Sequence, residues 1–207
     1  PPRHLLVTSA LASEGKTSVA VQIATAYAQQ GASVILVEGD HRRPRLHKVF
    51  GLHNDFGVNN VIEDGMPLDD AIRATGVPRM EVLTRGRASM QSVERLGAEP
   101  MFELLRELES RYDIVITDTP PAATLTDALP LARFADGVAL VVRSGRATRS
   151  SVRHAKRRLE QVGARLMGVI VNDLKKNQAG SRYGYDYNYY YGRSYEYAES
   201  DGDEAAK

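Results

Sequence analysis

The sequence has no cysteine among its 207 residues. That absence removes disulfides and thiolate metal sites and fits a reducing cytosol. There is no apolar run near the roughly 20 residues that a membrane-spanning helix needs. No basic segment followed by a long apolar one opens the chain, so no secretory signal is read. The start, PPRHLLVTSA, lacks an initiator methionine and enters a strand almost at once, so the chain is read as a processed or excised piece of something longer. Charge of one sign is also missing. The formal net charge is +1, and nucleic acid is not expected as a partner. The five histidines show no ligand spacing, and His41 is given no catalytic role although it stands beside two acids. No internal repeat stands out.

What is present suits one globular domain with an attached tail: 43% hydrophobic and 26% charged residues. Short apolar runs at 4–8, 33–40, 80–84, 113–121, 137–143 and 166–173 read as strands. Helical periodicity covers 17–30, 68–74, 99–110, 127–134 and 149–161, and Gly31 reads as the stop of the first helix. The strands are near-continuous apolar runs, the mark of a parallel sheet covered on both faces. Alternation of strand and helix predicts a doubly wound α/β sheet. Ligands in such sheets bind outside the carboxyl ends of the strands. The segments of interest therefore follow Thr8, Val37, Ile116, Val142 and Val171.

After the first strand comes TSALASEGKTSVA. Ser13, Glu14, Gly15, Lys16, Thr17 and Ser18 have the form of a phosphate loop running into a helix. Backbone N–H groups at a helix start attract phosphate. Lys16 adds a charge for the β and γ oxygens, and the Thr17 hydroxyl can ligate Mg²⁺. The full pattern GxxxxGK[ST] is not met, because Ala10 holds the first glycine position. The competing reading is an ordinary strand–helix turn that happens to contain GKT.

Two further strand ends carry acids: LVEGDHRRPR with Glu38 and Asp40, and IVITDTPP with Asp118. An acid after an apolar strand can hold Mg²⁺ directly or through water. Glu38 and Asp40, two apart, are expected to point to the same side and to bind metal or accept a proton. Each acid alone also reads as a helix cap or a solvated loop residue. The run Arg42, Arg43, Arg45 is either solvated surface or a holder of phosphate or of a neighbour's acids. Arg42 is the more interesting, and the bland reading is preferred for the other two. The basic run from Arg143 to Arg158 reads as a solvated helix face, or as a dock for the acidic tail. Asn172 and Asp173 end the last strand, where they can approach a nucleotide base or simply start a loop.

After Lys176 the periodicity stops. Domain boundaries are therefore expected at 1–176 and 177–207, the latter a disordered tail. Eight of the ten tyrosines fall in YGYDYNYYYGRSYEY: Tyr183, Tyr185, Tyr187, Tyr189, Tyr190, Tyr191, Tyr195 and Tyr197. From Tyr183 to Lys207 there are two basic and six acidic residues, a net −4 that leaves the rest at +5. By composition alone this could be an adhesive low-complexity tail.

Taken together, these pieces resemble the bacterial tyrosine kinases of capsule and exopolysaccharide synthesis. The matching motifs, in order, are TSALASEGKT, VILVEGDHRRP, YDIVITDTPPAATLTDA and the unit from ADGVALVV to GVIVND, followed by the tyrosine cluster. The resemblance spans residues 4 to about 197. It implies a P-loop NTPase fold of the MinD and ParA type, ATP and Mg²⁺ as cofactors, and transfer of the γ-phosphate to tail tyrosines of the same or a neighbouring copy. It also implies ring-like homo-oligomers, a membrane-embedded activator region (fused or separate), a cognate phosphatase, and a place in the cytoplasm at the inner face of the cell membrane. Carried over, Lys16 would stabilise the transferring phosphate, Thr17 and Asp118 would hold Mg²⁺ and Asp40 would assist the metal. The first acid of the second motif is usually Asp and is proposed to act on the incoming tyrosine; here it is Glu38. Ala12-Ser13 stands where Pro-Gly is frequent. Two other readings compete. One is a MinD- or ParA-like switch ATPase, whose extra signature lysine is missing between Ser9 and Ser13. The other is a degenerate nucleotide-binding scaffold.

Overall fold

The computed structural model describes residues 2–89 and 93–174. The tail tyrosines and the expected boundary near 176 lie outside these residues. The elements are β1 (His4–Ser9), α1 (Lys16–Gln29), β2 (Val34–Glu38), α2 (Leu46–Val49), α3 (Val58–Asp64), α4 (Leu68–Ala71), β3 (Arg73–Ala74), β4 (Met80–Leu83), α5 (Glu99–Arg111), β5 (Ile114–Asp118), α6 (Ala128–Phe134), β6 (Gly137–Arg143), α7 (Arg149–Gln161) and β7 (Leu166–Asn172). A 3-10 turn at Glu94–Gly97 precedes α5.

The sheet runs in the order β3-β4-β2-β5-β1-β6-β7. All neighbours are parallel except β3 and β4. This is the expected doubly wound α/β architecture. Side chains alternate between two buried layers. On one face Leu5, Val7, Leu36 and Ile116 meet Val19, Ala20, Ala24 and Ala28 of α1. The alanines, four apart, let the helix approach the sheet closely. On the other face Leu6, Ile35, Val115 and Leu140 pack with Met101, Leu105, Leu131 and Leu159 of α5, α6 and α7. β7 departs from the expectation of two covered faces, because as the last strand it leaves Met167, Val169 and Val171 about half exposed.

Four pieces escape the apolar pattern: α2, α3, the 3-10 turn and β3. The helices are one or two turns long, too short for periodicity to show. The helix expected over 68–74 ends at Ala71, and Arg73–Ala74 pairs antiparallel with β4. Among the described residues no helix is long and apolar enough to cross a membrane.

Chain direction reverses around β1: α1 leads across β5 to β2, while α6 leads from β5 back across β1 to β6. The crevice at such a switch point opens at the carboxyl ends of β1 and β5. GKT and Asp118 stand there.

Candidate active site

The loop after β1 is built to present backbone N–H groups. Ser13 has φ 63° and Gly15 φ 89°, two left-handed residues that fold the loop back on itself before α1 begins. Gly15 is also required sterically, since a Cβ there would stand 2.1 Å from Asn172 Nδ2. Ala10 needs no such freedom, because its backbone is not left-handed. It is fully buried, and the missing first glycine therefore costs the loop nothing visible.

The loop is pinned from behind. Glu14 is completely buried; its Oε2 accepts from Leu11 N at 2.6 Å and its Oε1 from Arg143 N at 3.4 Å. Asn172 Nδ2 donates to Glu14 O at 3.0 Å. Asn172 thus braces the loop from the end of β7, and Glu14 turns its carboxylate inward, away from the face that would meet phosphate. The ends of β6 and β7 contribute support rather than cleft wall.

In front of the loop the charges converge. Lys16 Nζ lies 3.0 Å from Asp40 Oδ2 and 3.4 Å from Asp118 Oδ1. Thr17 Oγ1 donates to Asp118 Oδ2 at 2.5 Å. Burial works to lower the Lys16 pKa, but Asp118 and Asp40 outweigh it and hold the ammonium protonated. Burial pushes the Asp118 carboxyl up while Lys16 and the Thr17 hydroxyl pull it back.

Glu38 is near enough for its charge to act on Lys16, but its hydrogen bonds go elsewhere. It is fully buried, and its Oε2 accepts from Arg45 N at 2.7 Å and Leu46 N at 2.8 Å, the entry to α2. Its Oε1 has no hydrogen-bond partner among the described residues. Burial and the nearby Asp118 push its carboxyl up to about 8. Asp40 lines the cleft and Glu38 does not, although both accept from the turn at 43–46, and the reason is local. β2 ends at Glu38, and Gly39 turns the chain tightly against β5, its N–H 2.7 Å from Asp118 O. Alternation holds only within a strand.

The cleft has a volume of about 510 Å³. Its walls are Ala12, Ser13, Gly15, Lys16, Thr17 and Ser18 on one side and Asp40, Arg42, Arg43 and Arg45 on another, closed by Pro121, Thr124 and Leu125. Arg43 and Arg45, read from sequence as bland surface, stand on this rim. Two ties that shape it had no local signal. Arg42 makes a bidentate pair with Asp127, Nε to Oδ2 at 2.5 Å and Nη2 to Oδ1 at 3.2 Å. Arg158 Nη1 donates to Ala122 O at 2.7 Å. An Asp before an apolar helix reads as a cap, and nothing local reveals a partner 85 residues away. The other basic residues of α7, Arg149, Arg153, Lys156 and Arg157, are exposed, as the solvated-face reading expects.

The donor set fits a magnesium–nucleotide pair. Mg²⁺ favours hard oxygen donors, takes one or two protein ligands and completes its shell with phosphate and water. Thr17 and Asp118 offer a hydroxyl and a carboxylate, with Asp40 nearby. The left-handed loop and Lys16 offer the complement for phosphate.

Fold and cleft together define a P-loop nucleotide-binding domain, and the AAA domain family model matches residues 12–166. The septum site-determining protein MinD of Pyrococcus horikoshii superposes with a TM-score of 0.67 at 22% identity, over 82% of this chain and 69% of that one, and shares the fold. Tyrosine-protein kinase YwqD of Bacillus subtilis is 36% identical over 183 residues, covering 88% of this chain and 77% of the relative. The kinase domain of Escherichia coli tyrosine kinase ETK superposes with a TM-score of 0.82 at 31% identity, over 86% of this chain and 70% of that one. The chain belongs to the family of the bacterial tyrosine-protein kinases.

Proposed function

We propose that this protein-tyrosine kinase binds Mg·ATP in the cleft and transfers the γ-phosphate to tyrosines of the 183–197 cluster, in its own chain or a neighbouring copy. The observation that carries this reading is the Lys16 ammonium held between Asp40 and Asp118, with the Thr17 hydroxyl on the same Asp118. A phosphate lever and the hard oxygen donors for Mg²⁺ meet at one point.

Each group then has a role. The 13–18 backbone cradles phosphate. Lys16 exchanges carboxylates for phosphate oxygens and stabilises the charge that builds up on the transferring group. Thr17 and Asp118 would hold Mg²⁺, which would supply positive charge against the phosphates. Asp40 lines the cleft beside Lys16, which supports it as the acid that assists the metal and meets an incoming hydroxyl. Glu38 shapes the turn that carries Asp40 and the arginines. Asn172 acts through the loop it braces.

At the level of the cell, we assign the kinase to control of capsule or exopolysaccharide polymerisation and export. It would work as a ring-like assembly at the inner face of the membrane, with a membrane-embedded activator region and a cognate phosphatase as partners.

The test is incubation with Mg·ATP and phosphosite mapping by mass spectrometry, with Lys16→Met and a truncation at Gly180 as controls. Phosphotyrosine in 183–197 should appear and should require Lys16, with a loss of roughly 10²–10³ in rate for the variant. ATP hydrolysis without phosphotyrosine would instead identify a switch ATPase. Lys16→Met strips two buried carboxylates of their cation, so a melting curve must show that it still folds.

A further inference from the structure

The cleft rim holds cationic groups that phosphate chemistry does not account for. Arg43 and Arg45 are exposed and line the cleft. Unlike Arg42, which Asp127 engages, their guanidinium groups have no ion pair or hydrogen bond among the described residues. Their backbone is fixed nonetheless: Arg43 N donates to Asp40 Oδ1 at 3.0 Å, and Arg45 N to Glu38 Oε2 at 2.7 Å. Both acids of the second motif thus set a turn that projects two unpaired guanidinium groups over the mouth beside Asp40. A guanidinium offers a planar fork that matches a carboxylate.

The candidate acceptors differ in a matching way. Tyr185 and Tyr187 flank Asp186, and Tyr195 and Tyr197 flank Glu196, with Glu199 and Asp201 close behind. Tyr189, Tyr190 and Tyr191 have only Asn188 and Gly192 at their borders. In an extended chain successive residues advance about 3.3 Å. Adjacent side chains leave it on opposite sides, so an acceptor directed at the cleft floor leaves its flanking carboxylate at the rim, where Arg43 and Arg45 stand.

We propose that Arg43 and Arg45 are specificity-determining residues that dock tyrosine acceptors flanked by carboxylates. The inference rests on the kinase reading and adds to it the substrate class: acidic tyrosine segments, in a second copy of this chain or in another protein.

The first arm uses the full chain with Mg·ATP and follows initial phosphorylation at each tail tyrosine. The acid-flanked tyrosines should be modified roughly fivefold faster than Tyr189–Tyr191, and less so at high salt. In an Arg43→Gln/Arg45→Gln double variant the ratio should fall toward 1, and Glu196→Gln should slow Tyr195 and Tyr197 in the wild type but not in the double variant. A ratio near 1 in the wild type, or one that survives loss of both arginines, overturns the proposal. So does a double variant that only weakens Mg·ATP binding, because the arginines would then read nucleotide. The second arm needs no phosphoryl transfer. A fluorescein-labelled peptide of residues 194–204, with Phe for Tyr, is titrated against the full chain beside its amide counterpart with Gln and Asn for the acids. Roughly fivefold tighter binding of the acidic peptide, lost in the double variant, supports the proposal. Equal affinities overturn it. Absence of Lys16-dependent phosphotyrosine defeats the kinase reading, while the binding arm still decides the role of the arginines.

Discussion

The ends of β5 and β2 lie side by side, and each closes on a fully buried acid; Asp118 and Glu38 are register partners in the sheet. Their partners are opposite in kind. Asp118 faces an ammonium and a hydroxyl on side chains that can let go of it. Glu38 faces two backbone amides at the start of a helix. A buried acid tied to side chains can exchange them for a metal and phosphate. One tied to backbone can be released only by unmaking the turn. Equal position and equal burial thus yield an acid held by side chains at one strand end and an acid held by backbone at its neighbour.

The largest expected effect comes from breaking the end held by side chains. Asp118→Asn keeps the volume and an acceptor for Thr17 but removes the charge. Phosphotyrosine formation should drop by roughly 10²–10³. Stability should change far less, because Lys16 keeps Asp40, and the melting midpoint should shift by a few degrees. Radiolabel transfer and a thermal melt on the same preparation check both. Retained activity would mean that Asp118 is scaffolding too, and the contrast between the strand ends would vanish.

Glu38→Gln tests the anchor through pH. Burial and Asp118 push the folded Glu38 carboxyl up to about 8, from an ordinary value of 4.5. Between those values the folded protein keeps a proton that the unfolded chain has released. Its stabilising effect is therefore complete below about pH 4.5 and is lost as pH rises through 8. Glutamine does not titrate and can still accept from Arg45 and Leu46. In urea titrations from pH 5 to 8, wild type should lose stability relative to Glu38→Gln, by on the order of 3 kcal/mol at the top of the range. Parallel profiles would remove the anchor account. Phosphotyrosine formation should stay within about tenfold of wild type, since loss of a general base removes roughly 10²–10⁴.

The contrast also shows what sequence could and could not carry. Continuous apolar runs specified β1, β2, β5 and β6 because parallel strands buried on both faces have no polar side. GKT announced Lys16 and Thr17 because its chemistry is local: a strand, a turn of N–H groups and a helix. Asp118 followed from the same logic. Glu38 was legible as an acid at a strand end, but its direction depends on where β2 stops and on α2, a single turn invisible to periodicity. The rim was hidden for a similar reason. Arg43 and Arg45 read as surface because nothing in HRRPR shows which way the turn faces, and the Arg42–Asp127 tie joins residues 85 positions apart.

The smallest predicted effect separates length from charge at the anchor. Glu38→Asp keeps the carboxylate and shortens it by one methylene, the form the family resemblance makes usual. If Glu38 is an anchor, the missing reach weakens its bonds to Arg45 N and Leu46 N, and stability should fall by about 1 kcal/mol, the typical worth of a helix cap. The turn holding Arg43 and Arg45 would loosen with it, so the preference for acid-flanked tyrosines should decline more than total phosphotyrosine does. If Glu38 were instead the group that meets the tyrosine hydroxyl, moving it by about 1 Å would change the rate at every acceptor, by as much as 10²-fold, and leave the ratio between acceptors untouched. Site-resolved rates for this one variant therefore tell an anchor from a base, because the first alters selectivity and the second alters speed.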